Sequence, residues 1–270
     1  AASLAIRLKA IVEDPSDEVI LVAPFFPEYT VFVQNAGAKS VILPPDTEHF
    51  QISLDAMEQA ITPKTRAIIV NSPNNPSGVV YSAETYEKLA ALLERKSKEI
   101  GHPIYLISDE PYREIIYDGL PILYVPKFYR DTIICYSYSK SLSLPGERIG
   151  YILVPDCVTA SKEVYTAVCG AGRFMGFVCA PHLFQDVILK CMGQTSDVDV
   201  YDQNRKLLYN GLKEMGYDCV YPSGAFYLFV KSPEPDAKAF SDKAKKLNLL
   251  IVPADSFGCP GYFRMAYCIG

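Results

Sequence analysis

A chain of 270 residues with 49% hydrophobic and 21% charged residues has enough apolar material for one large domain or one and a half ordinary ones. Its net charge of −5, with no basic tract, argues against a nucleic-acid partner. No apolar run is long enough for a bilayer, and His49, His102 and His182 are too isolated for a metal site. Eight scattered cysteines without a Cys-x-x-Cys pair read as reduced thiols of a cytoplasmic protein rather than a disulfide framework.

In chain order, the helical pattern begins at once, over Ser3–Val12, with nothing before it to cap it. Apolar runs of strand length follow at Glu18–Val22, Ser40–Leu43, Arg66–Val70, Ile104–Ser108, Thr132–Tyr136 and Gly150–Val154. Amphipathic stretches at Tyr29–Ala36, Leu54–Ala60 and Ala83–Ile100 alternate with them, the last capped by Ser82. Near-continuous apolar strands between helices predict an α/β fold whose sheet is mostly parallel and covered on both faces, a three-layer large domain. From Asp156 a long helical pattern reaches Cys191, and the rhythm then changes. Helix Val198–Gly216, strand Ala225–Lys231, helix Asp236–Leu247, strand Leu249–Val252 and a last strand around Tyr262–Tyr267 predict a partial small α+β domain. The expected boundary lies near residue 195, giving domains over 1–195 and 196–270. The entry into a helix at Ala1 and the stop just after an apolar strand read as an internal piece of a longer chain.

The polar motifs sit just past predicted strand ends. Ala23-Pro24-Phe25-Phe26-Pro27-Glu28-Tyr29 follows the first strand, Asn71-Ser72-Pro73-Asn74-Asn75-Pro76-Ser77-Gly78 the third, and Ser108-Asp109-Glu110-Pro111-Tyr112 the fourth. That carboxyl edge is where α/β sheets bind ligands. After the fifth comes Ser137-Tyr138-Ser139-Lys140-Ser141, with Arg148 eight positions beyond the lysine. A fixed, partly desolvated lysine amine suits Schiff-base chemistry, and hydroxyls with an arginine fork suit a phosphate. An aldehyde and a phosphate together point to pyridoxal phosphate. Taken alone, each motif has a plainer reading: a turn, a helix cap, a core aromatic or a solvated cation. Gly170-Ala171-Gly172 lacks a preceding strand and is not read as a nucleotide loop.

With four motifs in this order over nearly the whole chain, the sequence resembles the class I/II aminotransferases, pyridoxal-phosphate enzymes of fold type I. The resemblance implies that Lys140 binds the cofactor aldehyde and shuttles the α-proton. It implies that Asp109 faces the pyridine nitrogen, with Glu110 the rival carboxylate. Asn75 and Tyr112 would hold the ring's phenolic oxygen, with Asn74 the alternative if the register slips by one. Phe26 would stack on the ring while Phe25 joins the core. Ser137 and Arg148 would bind phosphate, with Ser139 a possible helper, beside the helix N-terminus at Ala1 and Ala2. Arg264, in Tyr262-Phe263-Arg264-Met265-Ala266, would clamp the substrate α-carboxylate, where Asn75 also reaches. Arg173 falls where aspartate-specific relatives present an arginine across the dimer to the substrate's side-chain carboxylate, although the residues after it depart from that pattern.

The resemblance implies amino-group transfer between an amino acid and a 2-oxo acid in a homodimer, and an N-terminal segment and a C-terminal helix beyond this chain. The alternatives are a carbon–sulfur β-lyase or an amino-acid decarboxylase on the same residues, or a regulator with an aminotransferase-like effector domain.

Overall fold

The computed structural model describes residues 2–268. The large domain runs α1 (Ala2–Ile11), β1 (Glu18–Val22), α2 (Glu28–Ala36), β2 (Lys39–Leu43), α3 (Leu54–Ala60), β3 (Thr65–Asn71), α4 (Ala83–Ile100), β4 (Tyr105–Asp109), β5 (Thr132–Ser137), α5 (Tyr138–Ser141), β6 (Gly150–Leu153), α6 (Ser161–Phe174) and α7 (His182–Lys190). The strands form one sheet in the order β2-β1-β3-β4-β5-β6. All neighbours in it are parallel except β5 and β6.

Alternate side chains of each strand serve opposite layers. Ile20, Val22, Ile68, Val70 and Leu106 pack with Met57, Leu89 and Leu93 of α3 and α4. Val19, Leu21, Ala67, Ile69 and Ile107 pack with Leu4, Leu8, Tyr29 and Val33 of α1 and α2. Both faces are therefore buried, which is why these strands read as unbroken apolar runs. The helices stop and start where their chemistry dictates. Ser82 caps α4 by accepting from the Thr85 amide at 3.0 Å, and Gly101, at φ 84°, ends it in the left-handed region.

The long helical pattern with few breaks expected from Asp156 to Cys191 is two helices, α6 and α7. Gly176, at φ 82°, turns the chain after α6, and Pro181 directly precedes α7, so no single helix crosses the interval.

The second sheet has the order β7-β8-β10-β9, built from β7 (Cys219–Val220), β8 (Tyr227–Lys231), β9 (Val252–Pro253) and β10 (Tyr262–Ala266). Two helices accompany it, α8 (Val198–Glu214) and α9 (Ala237–Lys245), each capped by an aspartate, Asp197 or Asp236. The strand expected at Leu249–Val252 is shorter and later, because Leu249 and Leu250 lie exposed before pairing begins at Val252.

The two sheets meet through a tight junction. The Gly78 carbonyl accepts from the amides of Ser223 and Gly224 at 2.9 and 2.8 Å, and Ile116 bridges Gly224. Beside it the buried Arg205 of α8 donates to both carboxylate oxygens of Asp118 at 2.8 Å each, to Asp202, and to the Pro222 carbonyl. The bidentate arginine holds the Asp118 carboxyl down at about 2. A Cβ on Gly78 would lie 2.7 Å from both the Pro222 Cβ and the Tyr227 carbonyl oxygen, and Gly78 itself has φ 72°. Gly78→Ala is therefore expected to cost about 2 kcal/mol or more, read as a lower denaturant midpoint. An unchanged midpoint would mean that the junction is not close-packed at this point.

Candidate active site

The parallel register brings the ends of neighbouring strands level. Asn71 at the end of β3 pairs with Asp109 at the end of β4, and Asp109 pairs with Cys135 of β5, two residues before Ser137. The loops that leave these ends must therefore share one edge.

Asp109 is half-buried, and burial pushes its carboxyl up to about 6. The Tyr29 hydroxyl opposes this by donating to Oδ2 at 2.6 Å, which favours the charged form. Asn71 secures the backbone at the same place. Its Nδ2 donates to the Asp109 carbonyl at 2.8 Å while its Oδ1 accepts from the Asn75 amide at 2.8 Å. The rival carboxylate, Glu110, is committed elsewhere: it accepts from Ser108 at 2.7 Å and forms an ion pair with Arg113 at 2.6 Å.

The alternative asparagine is likewise committed. Asn74 is buried, donates to the Pro24 and Asn71 carbonyls, and accepts from Ser77, which shapes the turn. Asn75 instead presents its Oδ1 to Arg264, whose Nη1 donates to it at 2.7 Å. Arg264 lies over two aromatic rings, with its guanidinium carbon 4.5 Å from the centroid of Tyr227 and 5.1 Å from that of Phe257.

Lys140 is half-buried in the four-residue α5. Its Nζ lies 6.0 Å from the Tyr112 ring centroid and 5.5 Å from that of Phe226. Burial lowers its pKa, and the neighbouring charges of Arg264 and Arg148 act in the same direction. Cys268 opposes the shift, and among the described residues no carboxylate forms an ion pair with Nζ. Tyr112 is buried, its pKa raised well above the usual tyrosine value by burial, and its hydroxyl pairs with that of Tyr227 at 2.9 Å.

Five of the residues read from the sequence thus converge: Asp109, Tyr112, Lys140, Asn75 and Arg264. Phe26 stands at the rim, half-buried, with its ring edge-on to Tyr29 at 5.7 Å, while Phe25 is in the core. Ser137 caps α5 and donates to the Ser139 hydroxyl at 2.8 Å. Arg148 is exposed, bonded to the Pro145 carbonyl at 2.7 Å, yet near enough to influence Lys140. Ala2 opens α1, and Ala1 lies outside the described residues. Arg173 sits apart, exposed in the last turn of α6. The sequence reading passed over Tyr29, Asn71, Tyr227 and Phe257. Tyr29 stood in the quoted Phe-Phe-Pro-Glu-Tyr motif, which was a usable signal. Tyr227 looked like an ordinary core residue of a predicted strand.

The profile of class I and II aminotransferases matches residues 1–269. The chain belongs to the class I and II aminotransferase family. Among relatives, it is 31% identical to aromatic-amino-acid aminotransferase 2 of Thermococcus litoralis, over 93% of this chain and 66% of that one. It is also 31% identical to the aspartate aminotransferase of Pyrococcus abyssi, over 96% of this chain and 67% of that one. Among solved structures it is similar to an amino transferase from Eubacterium rectale, with TM-score 0.97 and 60% identity, covering 100% of this chain and 68% of that one. It is similar as well to the aspartate aminotransferase of Thermotoga maritima, with TM-score 0.87 and 28% identity, covering 100% of this chain and 69% of that one. The chain thus spans about two thirds of the length of these relatives. Family members of this kind use pyridoxal 5′-phosphate, and the fold is the fold type I architecture.

Burial makes the place of Asp109 costly for its charged form, and that cost depends on pH. A carboxyl raised from the ordinary 3.8 to about 6 favours the folded state below pH 4 and loses that contribution as pH rises through 6. In the cofactor-free protein, Asp109→Asn should remove the penalty. The expected gain at pH 8 is on the order of 3 kcal/mol, with little gain at pH 4. Denaturant unfolding at the two pH values checks this, and a gain equal at both would assign it to packing rather than to charge.

Proposed function

We propose that the full-length protein is a pyridoxal-phosphate-dependent aminotransferase that moves an amino group between an amino acid and a 2-oxo acid. The observation that carries this reading is the meeting of three unlike groups between the carboxyl edge of the large sheet and β10 of the small one. They are a partly desolvated Lys140 amine, a half-buried Asp109 carboxyl group and an Arg264 guanidinium set by Asn75.

The donor set fits the cofactor. Lys140 would hold its aldehyde, Asp109 its ring nitrogen, Tyr112 and Asn75 its phenolic oxygen, and Ser137 and Arg148 its phosphate, with Ala2 at the start of α1 as a further contact. Phe26 offers a flat apolar surface for the ring. When bound, pyridoxal phosphate would supply an electron sink that acidifies the α C–H bond of an attached amino acid.

The chain's own residues would do the rest. Arg264 would hold the α-carboxylate with its two-pronged donor edge and so fix the direction of the α C–H bond. Lys140, with its pKa lowered by burial, would have a larger neutral fraction at Nζ near neutral pH and so could accept and return the α-proton. Tyr29 would keep Asp109 charged and oriented.

The exposed apolar side chains Phe174, Phe177, Val178, Leu183 and Leu189 on and between α6 and α7 support a homodimer in the full-length protein. Arg173 lies next to Phe174, which supports a role for it across that interface toward a dicarboxylate substrate. Among the described residues no helix is long and apolar enough to cross a membrane, and the eight cysteines are free. Both observations fit a cytoplasmic enzyme.

Two measurements test the reading. Borohydride treatment of the yellow full-length holoenzyme should fix a pyridoxyl group on the Lys140 peptide, and an adduct confined to another lysine would refute the assignment. Product analysis should find a new amino acid formed from the 2-oxo acid, whereas pyruvate and ammonia as main products would favour the β-lyase. For the substrate, Arg173→Ala should lower kcat/KM with aspartate about tenfold or more while leaving alanine nearly unchanged. Equal losses with both would leave Arg173 structural.

A further inference from the structure

Arg264 belongs to the small sheet, whereas Lys140, Asp109 and Tyr112 belong to the large domain, so a residue must set the arginine relative to the others. Arg264 is the third residue of β10, directly paired with Phe229 of β8, and Tyr227 lies two residues along β8 from that partner. The Tyr227 ring lies 4.5 Å from the Arg264 guanidinium carbon, closer than the Phe257 ring at 5.1 Å. At its far end the Tyr227 hydroxyl meets that of Tyr112 at 2.9 Å. The ring is buried, and its backbone runs close against Gly78, whose added Cβ would lie 2.7 Å from the Tyr227 carbonyl oxygen.

We propose that Tyr227 is a positioning residue that seats Arg264 for carboxylate recognition. Its ring face holds the guanidinium and its hydroxyl pins that ring to Tyr112 of the large domain. The proposal rests on the aminotransferase reading, since it takes Arg264 as the clamp.

The physical case has two parts. A guanidinium over a buried aromatic face is held by the ring quadrupole and by dispersion, which leave its in-plane N–H donors directed outward. One of those donors is taken by Asn75, and the remaining edge is left for a carboxylate. The hydroxyl pair fixes the ring in rotation and ties it to a residue that also faces the Lys140 amine. The substrate-side clamp and the cofactor-side phenol would then move as one unit. Phenylalanine at 227 would keep the seat and lose the pin, and leucine would lose both.

The test uses the full-length holoenzyme and the best amino donor among L-aspartate, L-alanine and L-tyrosine, together with its 2-methyl analogue, which has no α-hydrogen. Equilibrium binding of the analogue is followed by cofactor absorbance. Tyr227→Leu should weaken it about tenfold and Tyr227→Phe by about threefold or less, the scales of a desolvated cation–π contact and of one net hydrogen bond. Because the leucine variant could misfold, a second series places phenylalanine and its mono-, di- and trifluorinated forms at position 227. Fluorination withdraws density from the ring face while nearly keeping its shape, so analogue affinity should fall stepwise.

A flat fluorine series, or a leucine variant that binds the analogue as tightly as wild type, overturns the proposal. So does a phenylalanine variant as weak as leucine. Failure of the underlying reading looks different: the wild-type protein would itself bind no pyridoxal phosphate or transfer no amino group.

Discussion

The constraint on which the rest of the structure depends is the parallel register of β1, β3, β4 and β5. Because β3, β4 and β5 run in one direction with nearly level ends, Asn71, Asp109 and Ser137 face one edge, and their loops have nowhere else to go. A hairpin architecture would have alternated the ends and scattered these groups. The two-sided burial of the sheet enforces the register, since a slip by one residue would turn the Ile20–Val22 set into the layer that belongs to Val19 and Leu21.

On that edge the molecule holds groups that a fold selected for stability alone would not hold. Asp109 is raised by burial, and Lys140 is lowered by it, with no carboxylate ion-paired to it among the described residues. Both shifts work against the charged form, the usual signature of residues kept for chemistry. The neighbouring Glu110 is raised by burial too, but its ion pair with Arg113 and the hydrogen bond from Ser108 oppose that shift. The two carboxylates thus differ in their partners, an arginine for Glu110 and a tyrosine hydroxyl for Asp109.

The large domain was legible in the sequence because its strands are buried on both faces and so appear as apolar runs between amphipathic helices. Their positions agree with the observed strands to within a residue or two. The site was legible for the same reason, since Asp109, Asn75 and Lys140 each follow such a run. What escaped the sequence involves distant pairing or local breaks. Tyr29 lies 80 residues from Asp109 and Tyr227 lies 115 from Tyr112; Tyr29 at least closes a strand-end motif, whereas Tyr227 does not differ from a core aromatic in its own neighbourhood. The break between α6 and α7 was hidden because the residues around Gly176 keep an apolar composition that mimics helix. In the small domain, β9 is two residues long and pairs only at Val252 and Pro253, too short to leave a periodic signal.

The most direct test of the strand-end site is the rate of the half-reaction between the full-length holoenzyme and its amino acid in the Asp109→Asn variant, followed by stopped-flow absorbance. Asn keeps the shape and can still accept from Tyr29, so cofactor binding should persist. The rate of α-proton transfer should fall by about a hundredfold or more, the scale of losing one preorganised electrostatic partner. A variant that binds cofactor and reacts within a few-fold of wild type would contradict the assignment of Asp109 and with it the placement of the site.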